Sequence, residues 1–145
     1  MYEIKIFIYG TLIKNFRNYN KYLKSKVTSI TVAYIYGKLY HLKIHNCPAI
    51  IDGKDKVYGQ VIAFNDDAEY TLLKTIDNFE KYFFDRDKII YERKPVDVYY
   101  LDNNNKERLS FYKLVNRDVL KSENAEYISS ENWERYLKFQ KNKML

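Results

Sequence analysis

Across residues 3–9 the chain alternates, with Ile4, Ile6 and Ile8 on one side and Lys5, Phe7 and Tyr9 on the other. That two-residue period predicts a strand ending at Gly10. Phe16, Tyr19 and Leu23 then recur at spacings of three and four, which predicts a short helix starting at Asn15 or Phe16. Over residues 30–42, β-branched and aromatic residues flank Gly37, the pattern of a long strand bent or bulged at the glycine. Asp52-Gly53 reads as a turn, so residues 49–51 and 57–64 are expected to form the two arms of a hairpin. Asp66 followed three residues later by Glu69 has the shape of a capping box, and the acidic group Asp66, Asp67 and Glu69 suits the positive end of a helix dipole. A helix is therefore predicted over residues 67–82, with Leu72, Leu73, Ile76, Phe79 and Phe83 as its buried stripe. Strands over 89–101 and 108–115 should pair through a turn at 103–105. Ser129 or Ser130 is expected to cap a last helix, with Glu131 in its first turn and Trp133, Leu137 and Phe139 facing inward. Strands dominate and regular βαβ alternation is missing. The pattern predicts an α+β fold, a small mixed and mainly antiparallel β-barrel with flanking helices.

Length and composition narrow this further. At 145 residues, 46% hydrophobic and 30% charged, the chain suits one core, with residues 1–145 forming a single domain and residues 120–145 a C-terminal helical extension. No run approaches 18 apolar residues, and Lys5 interrupts the N-terminal apolar run, so neither a membrane span nor a signal peptide is expected. Cys47 is the only cysteine and His41 and His45 the only histidines, which excludes an internal disulfide and a multi-cysteine zinc site. A cytoplasmic protein without a cofactor or bound metal is the expectation. Of the net charge of +6, residues 1–30 carry +5. Lys14, Arg17, Lys21, Lys24 and Lys26 beside Phe16, Tyr19 and Tyr22 could be a nucleic-acid patch. A solvated helix face accounts for the same residues at less cost, so neither nucleic acid nor membrane is expected as a partner.

Glu80 breaks its local rule. It lies four residues after Ile76 and seven after Leu73, on the apolar side of its helix. Burial there raises a carboxyl pKa by desolvation and fits the group for general acid/base work near neutral pH. Alternatively Glu80 frays into solvent or pairs with Arg86 or Arg93. Tyr9-Gly10-Thr11-Leu12 is a glycine turn directly after an apolar strand, where positive φ would let successive backbone N–H groups converge on an anion or a carbonyl oxygen. An ordinary strand-ending turn has the same signature.

Taken in order, Tyr9-Gly10-Thr11-Leu12, Asn18, Gly37-Lys38-Leu39-Tyr40, Pro48-Ala49, Val57-Tyr58-Gly59-Gln60-Val61, Ile76-Asp77-Asn78-Phe79-Glu80 and Tyr91-Glu92-Arg93 resemble the γ-glutamylcyclotransferase-like family. The form of the first and sixth pieces is similar to its γ-glutamylamine cyclotransferase and avirulence-induced-gene-like branch. Lys81 stands where that family often has Gly after the glutamate, and residues 81–88 form a charged, aromatic segment that could reshape the pocket rim. The resemblance implies a small-molecule γ-glutamyl substrate whose own α-amine attacks its γ-carbonyl, giving 5-oxoproline and a free amine. It implies Glu80 as general acid and base, with Tyr9, Gly10, Thr11, Leu12, Asn18 and Tyr91 contacting substrate. Tyr112 would be a further pocket wall or a core side chain. The alternative is a member of the same fold that holds a small ligand without turning it over.

Overall fold

The computed structural model describes residues 2–10 and 23–143. Five strands close into a barrel: β1 (Tyr2–Ile8), β2 (Val27–Leu42), β3 (Cys47–Asp66), β4 (Tyr91–Tyr100) and β5 (Lys106–Leu114), in the order β3-β1-β5-β4-β2 with β2 pairing back onto β3. All pairings are antiparallel except the parallel contact of β1 with β5 at Phe7↔Phe111. Among the described residues the helices are α1 (Thr71–Lys81), α2 (Asp118–Ser122) and α3 (Trp133–Lys143), and a short strand β6 (Glu126–Tyr127) adds to β2 at Tyr40↔Tyr127. This is the expected α+β barrel.

From Ile6 onward β1 is buried on both faces, with Ile6 and Ile8 in one apolar cluster and Phe7 and Tyr9 in another. The first cluster is covered by Leu73 and Ile76 of α1, and the second takes in Ile128 and Trp133 from the C-terminal segment. The indole of Trp133 donates to His41 Nδ1 at 3.0 Å, and the backbone of Tyr58 donates to the carbonyl of Glu131 at 2.8 Å. Residues 128–133 are thereby fastened to the barrel wall by both side chain and backbone.

Several local expectations change. Asp52-Gly53 is no hairpin turn: β3 runs through it, and the turn joining β2 to β3 lies at residues 43–46. Gly37 pairs with Asp55 while Lys38 pairs with Ile51, so residues 52–54 are extra residues looped out opposite the Gly37–Lys38 junction. Turn and bulge use the same small, polar residues. The bend expected at Gly37 is this bulge. α1 starts at Thr71 and not at residue 67, after Tyr70 in the left-handed region at φ 56°. No Asp66–Glu69 box forms. The buried Asp66 carboxylate instead accepts from the N–H groups of Asp67, Leu72 and Leu73 at 2.9–3.0 Å, while Asp67 accepts from Glu69 and Thr71. The free N–H groups of the first turn are thus satisfied from outside the helix. At α3 the side chain of Asn132 accepts from Arg135 N–H, so Asn132 and neither serine is the cap; Glu131 precedes the helix, and Phe139 is 58% exposed. The helix expected near residues 15–23 lies outside the described residues, apart from the fully buried Leu23.

Candidate active site

Parallel β1 and β5 end on the same side of the barrel on which their antiparallel partners β3 and β4 begin. That topology gathers Tyr9 and Gly10, Cys47 and Pro48, Tyr91 and Tyr112 around one opening, and α1 brings Glu80 and the following Phe83 across it. The cleft encloses about 350 Å³ of free space, part of it open to solvent. Its lining is largely aromatic and aliphatic with a few polar groups directed inward, the usual character of a small-ligand site.

Glu80 does not fray. It is 7% exposed, one of three buried residues of α1 with Leu73 and Ile76. Neither arginine considered as its partner takes that role. Arg93 instead binds Asp77 through Nε at 2.9 Å and a terminal nitrogen at 3.2 Å, and Arg86 makes no ion pair among the described residues. No described group donates a hydrogen bond to the Glu80 carboxylate. Loss of water pushes its pKa up to about 8, and the negative charge of Asp77 one turn earlier adds to the rise. The groups facing it are Asp77 on its own helix, Tyr9 after β1, Cys47 on β3, Tyr91 on β4 and Tyr112 on β5. Burial raises the pKa of all three tyrosines and pushes the Cys47 thiol up to about 12, so these neighbours stay neutral and cannot neutralise the carboxylate. A thiol so placed is a poor nucleophile.

The polar walls are fixed by one another. Tyr91 donates to the carbonyl of Pro48 at 2.6 Å, and Tyr9 donates to the carbonyl of Tyr112 across the β1–β5 seam. Tyr112 donates to Asp77 Oδ1 at 2.8 Å, so Asp77 is held by Arg93 and Tyr112 together. This links the motifs to one another: Tyr91 and Arg93 lie two apart on β4, and Asp77 and Glu80 three apart on α1, so the members of each pair share a face, and the Asp77–Arg93 junction of helix and strand stands beside the Glu80–Tyr91 part of the cleft. Gly10 has a different reason from the one its motif suggests. No described glycine has positive φ; a Cβ at Gly10 would lie 2.3 Å from Pro48 Cγ, so glycine is needed for the close approach of the chain after β1 to the start of β3.

Of the site residues expected from sequence, Tyr9, Gly10, Glu80 and Tyr91 come together, while Thr11, Leu12 and Asn18 lie outside the described residues. Most of the basic stretch over residues 14–26 lies outside them too. Tyr112 is both core side chain and cleft wall. Cys47, Pro48, Phe83 and the anchor Asp77 carried no site role in the sequence reading, although Pro48 and Asp77 stand inside quoted motifs and Phe83 was expected in the buried stripe of the helix. Among the described residues no group of three or more His, Cys, Asp or Glu could hold a metal ion, and no helix is long and apolar enough to cross a membrane.

Comparison with known families places these residues in context. Residues 6–135 match the family described as gamma-glutamyl cyclotransferase, AIG2-like. The chain belongs to this family. Among solved structures, this γ-glutamyl cyclotransferase-like, AIG2-like chain is similar to YkqA from Bacillus subtilis, with a TM-score of 0.68 and 19% identity over 97% of this chain and 43% of that one. It therefore spans less than half the length of YkqA. It is also similar to an AIG2-like protein from Mus musculus, with a TM-score of 0.64 and 19% identity over 83% and 84% of the two chains, and to an Arabidopsis thaliana protein known by its solution structure, with a TM-score of 0.64 and 21% identity over 99% and 87%. At these identities the likeness establishes the shared fold. No curated protein sequence matches.

Proposed function

We propose that the protein is a γ-glutamylcyclotransferase-type enzyme that closes a γ-glutamyl amide into 5-oxoproline and releases the amine, with Glu80 moving the proton. The observation carrying this reading is the Glu80 carboxyl group, buried, without a described hydrogen-bond donor, and set into the wall of the cleft. Family membership supports the reaction class. In the reaction, the substrate's α-nitrogen forms a bond to the γ-carbon, the bond from that carbon to the amide nitrogen breaks, and the two protons given up by the α-ammonium end on the departing amine. Glu80 as carboxylate takes a proton from the α-ammonium, and as carboxylic acid gives one to the leaving nitrogen. Because the attack is intramolecular, holding the curled conformer of the substrate could lower the barrier by roughly 7–11 kcal/mol, and no protein nucleophile is needed. The Tyr9-Gly10-Thr11-Leu12 motif is assigned the substrate's carboxylate or the developing oxyanion, with Asn18 as a further substrate contact and Tyr91 as a wall.

The test is 5-oxoproline release from a panel of γ-glutamyl amines and γ-glutamyl amino acids. Turnover of any of them supports the reading, whereas binding without lactam release would mark a small-ligand-binding member of the fold. The pH dependence supplies a second check. A base whose pKa is about 8 in the free enzyme is mostly protonated at pH 7, so kcat/KM should rise with pH and level off above 8. Asp77→Asn removes the charge that helps to raise Glu80, which favours the carboxylate. The rising limb of kcat/KM should therefore move to lower pH in that variant; an unmoved limb would separate Asp77 from the acid/base group.

A further inference from the structure

Immediately outside the cleft lies a second depression, formed by Asn78, Phe79, Tyr82, Phe83 and Arg86 and holding about 630 Å³ of free space open to solvent. Phe83 is shared: it lines the inner cleft beside Glu80 and the outer groove beside Arg86. The Phe79 and Phe83 rings meet edge to face at 5.1 Å, giving the groove an apolar floor that begins one residue from the acid/base group. Arg86 lines this groove and not the cleft, and is exposed and without an ion pair among the described residues. Its two acidic neighbours differ in state. The Asp85 carboxylate is engaged by the backbone N–H of Asp87 at 2.8 Å, and Asp87 itself is exposed. The groove thus shares an aromatic wall with the cleft and carries a cationic side chain that the cleft lacks.

Resting on the cyclotransferase reading, we infer that this groove is the leaving-group subsite, and that it selects γ-glutamyl derivatives of amines bearing an aromatic or bulky apolar body and a carboxylate, which Arg86 receives. The glutamyl half must occupy the cleft for its α-nitrogen to reach the γ-carbon beside Glu80. The departing nitrogen must face Glu80 to take up its proton, so the rest of the leaving group has to continue past Phe83. There the rings of Phe79, Tyr82 and Phe83 offer apolar and stacking contact, and the planar guanidinium offers two parallel N–H bonds to a carboxylate. A simple alkylamine would fill the apolar part and leave Arg86 unused.

The inference is tested by comparing the γ-glutamyl amide of 4-(2-aminoethyl)benzoic acid with γ-glutamylphenethylamide, which have the same ring and spacer and differ by one carboxylate at the end of the ring away from the amide. We expect kcat/KM for 5-oxoproline release to favour the carboxylate-bearing compound by roughly five- to tenfold, the range open to a charge-assisted contact at an exposed site. Arg86→Gln should erase the difference, Arg86→Lys should keep part of it, and Arg86→Glu should reverse it. Equal specificity constants in the wild type, or a preference that survives Arg86→Gln, would overturn the groove assignment and leave the lactam chemistry standing. If 5-oxoproline came only from small alkylamine derivatives, the subsite would likewise be wrong. Failure of every γ-glutamyl compound to give 5-oxoproline would remove the enzyme reading itself, and this inference with it.

Discussion

Glu80→Gln should lower 5-oxoproline release by roughly 10²- to 10⁴-fold, the contribution of a positioned general acid/base, while making the protein more stable above neutral pH. Gln has nearly the shape of Glu and cannot exchange a proton, so packing against Leu73 and Ile76 should persist. The stability change follows from the raised pKa. In the folded state Glu80 titrates at about 8 against an ordinary value of 4.5, so below 4.5 it is protonated in both folded and unfolded chains and costs nothing. Between those values the unfolded chain has lost the proton that the folded chain retains, and stability of the wild type falls as pH rises. Above 8 the full penalty of a buried carboxylate is present, up to about 5 kcal/mol for a shift of this size. The variant escapes that slope. Urea melts of both proteins from pH 4 to pH 9 should show curves that agree at the acid end and separate toward the alkaline end, with the variant above. A variant of unchanged turnover would remove Glu80 from the chemistry. Parallel stability curves would mean that its carboxyl group is hydrated.

The second large effect is expected at Gly59 of β3, which packs against two residues that line the cleft. A Cβ there would lie 2.2 Å from the carbonyl oxygen of Ile8 and 2.8 Å from Cζ of Phe7. Both belong to β1, which pairs with β3 at the adjacent Ile8↔Gln60 position, and Phe7 is fully buried. Neither the strand backbone nor a packed ring can yield cheaply. Gly59→Ala should therefore cost about 3 kcal/mol, at the upper end of overpacking losses, and lower the melting temperature by about 10 °C. A variant melting within a degree or two of wild type would show that the β1–β3 seam has slack.

How far the sequence went depends on the range over which each feature is decided. Glu80 was legible because a carboxylate in an apolar stripe violates a local period, and the structure places it in the cleft. The bend at Gly37 was legible for a similar reason, since a glycine inside a β-branched run marks irregular backbone. Asp52-Gly53 misled because its residues serve bulges as well as turns, and only pairing with β2 decides between them. Asp66 was recognised as belonging to the start of α1, but its acceptor role passes over Tyr70 to reach Leu72 and Leu73, a geometry without a fixed spacing. The Asp77–Arg93–Tyr112 junction could not be read at all. Its members are 16 and 35 positions apart from Asp77, and their meeting depends on how β4 and β5 lie against the helix. Gly10 stands out in the sequence as a turn glycine of positive φ, but a close neighbour, Pro48, is what constrains it, and its φ is not positive. The short α2 and β6 fell below the length at which periodicity carries a signal.

The Tyr9–Tyr112 bond joins positions 103 apart in the chain, and β1 finds its parallel partner β5 at a similar distance. The β2–β3 hairpin, by contrast, closes through four residues. Long-range closure is the slow part of folding, so the seam is expected to shut after the hairpins have formed. During synthesis the first strand must wait, with one edge open, until almost the whole barrel has left the ribosome. The cleft is complete only with that last contact, and a nascent or truncated chain lacking β5 should lack the Tyr112 wall and be prone to associate through its open edges.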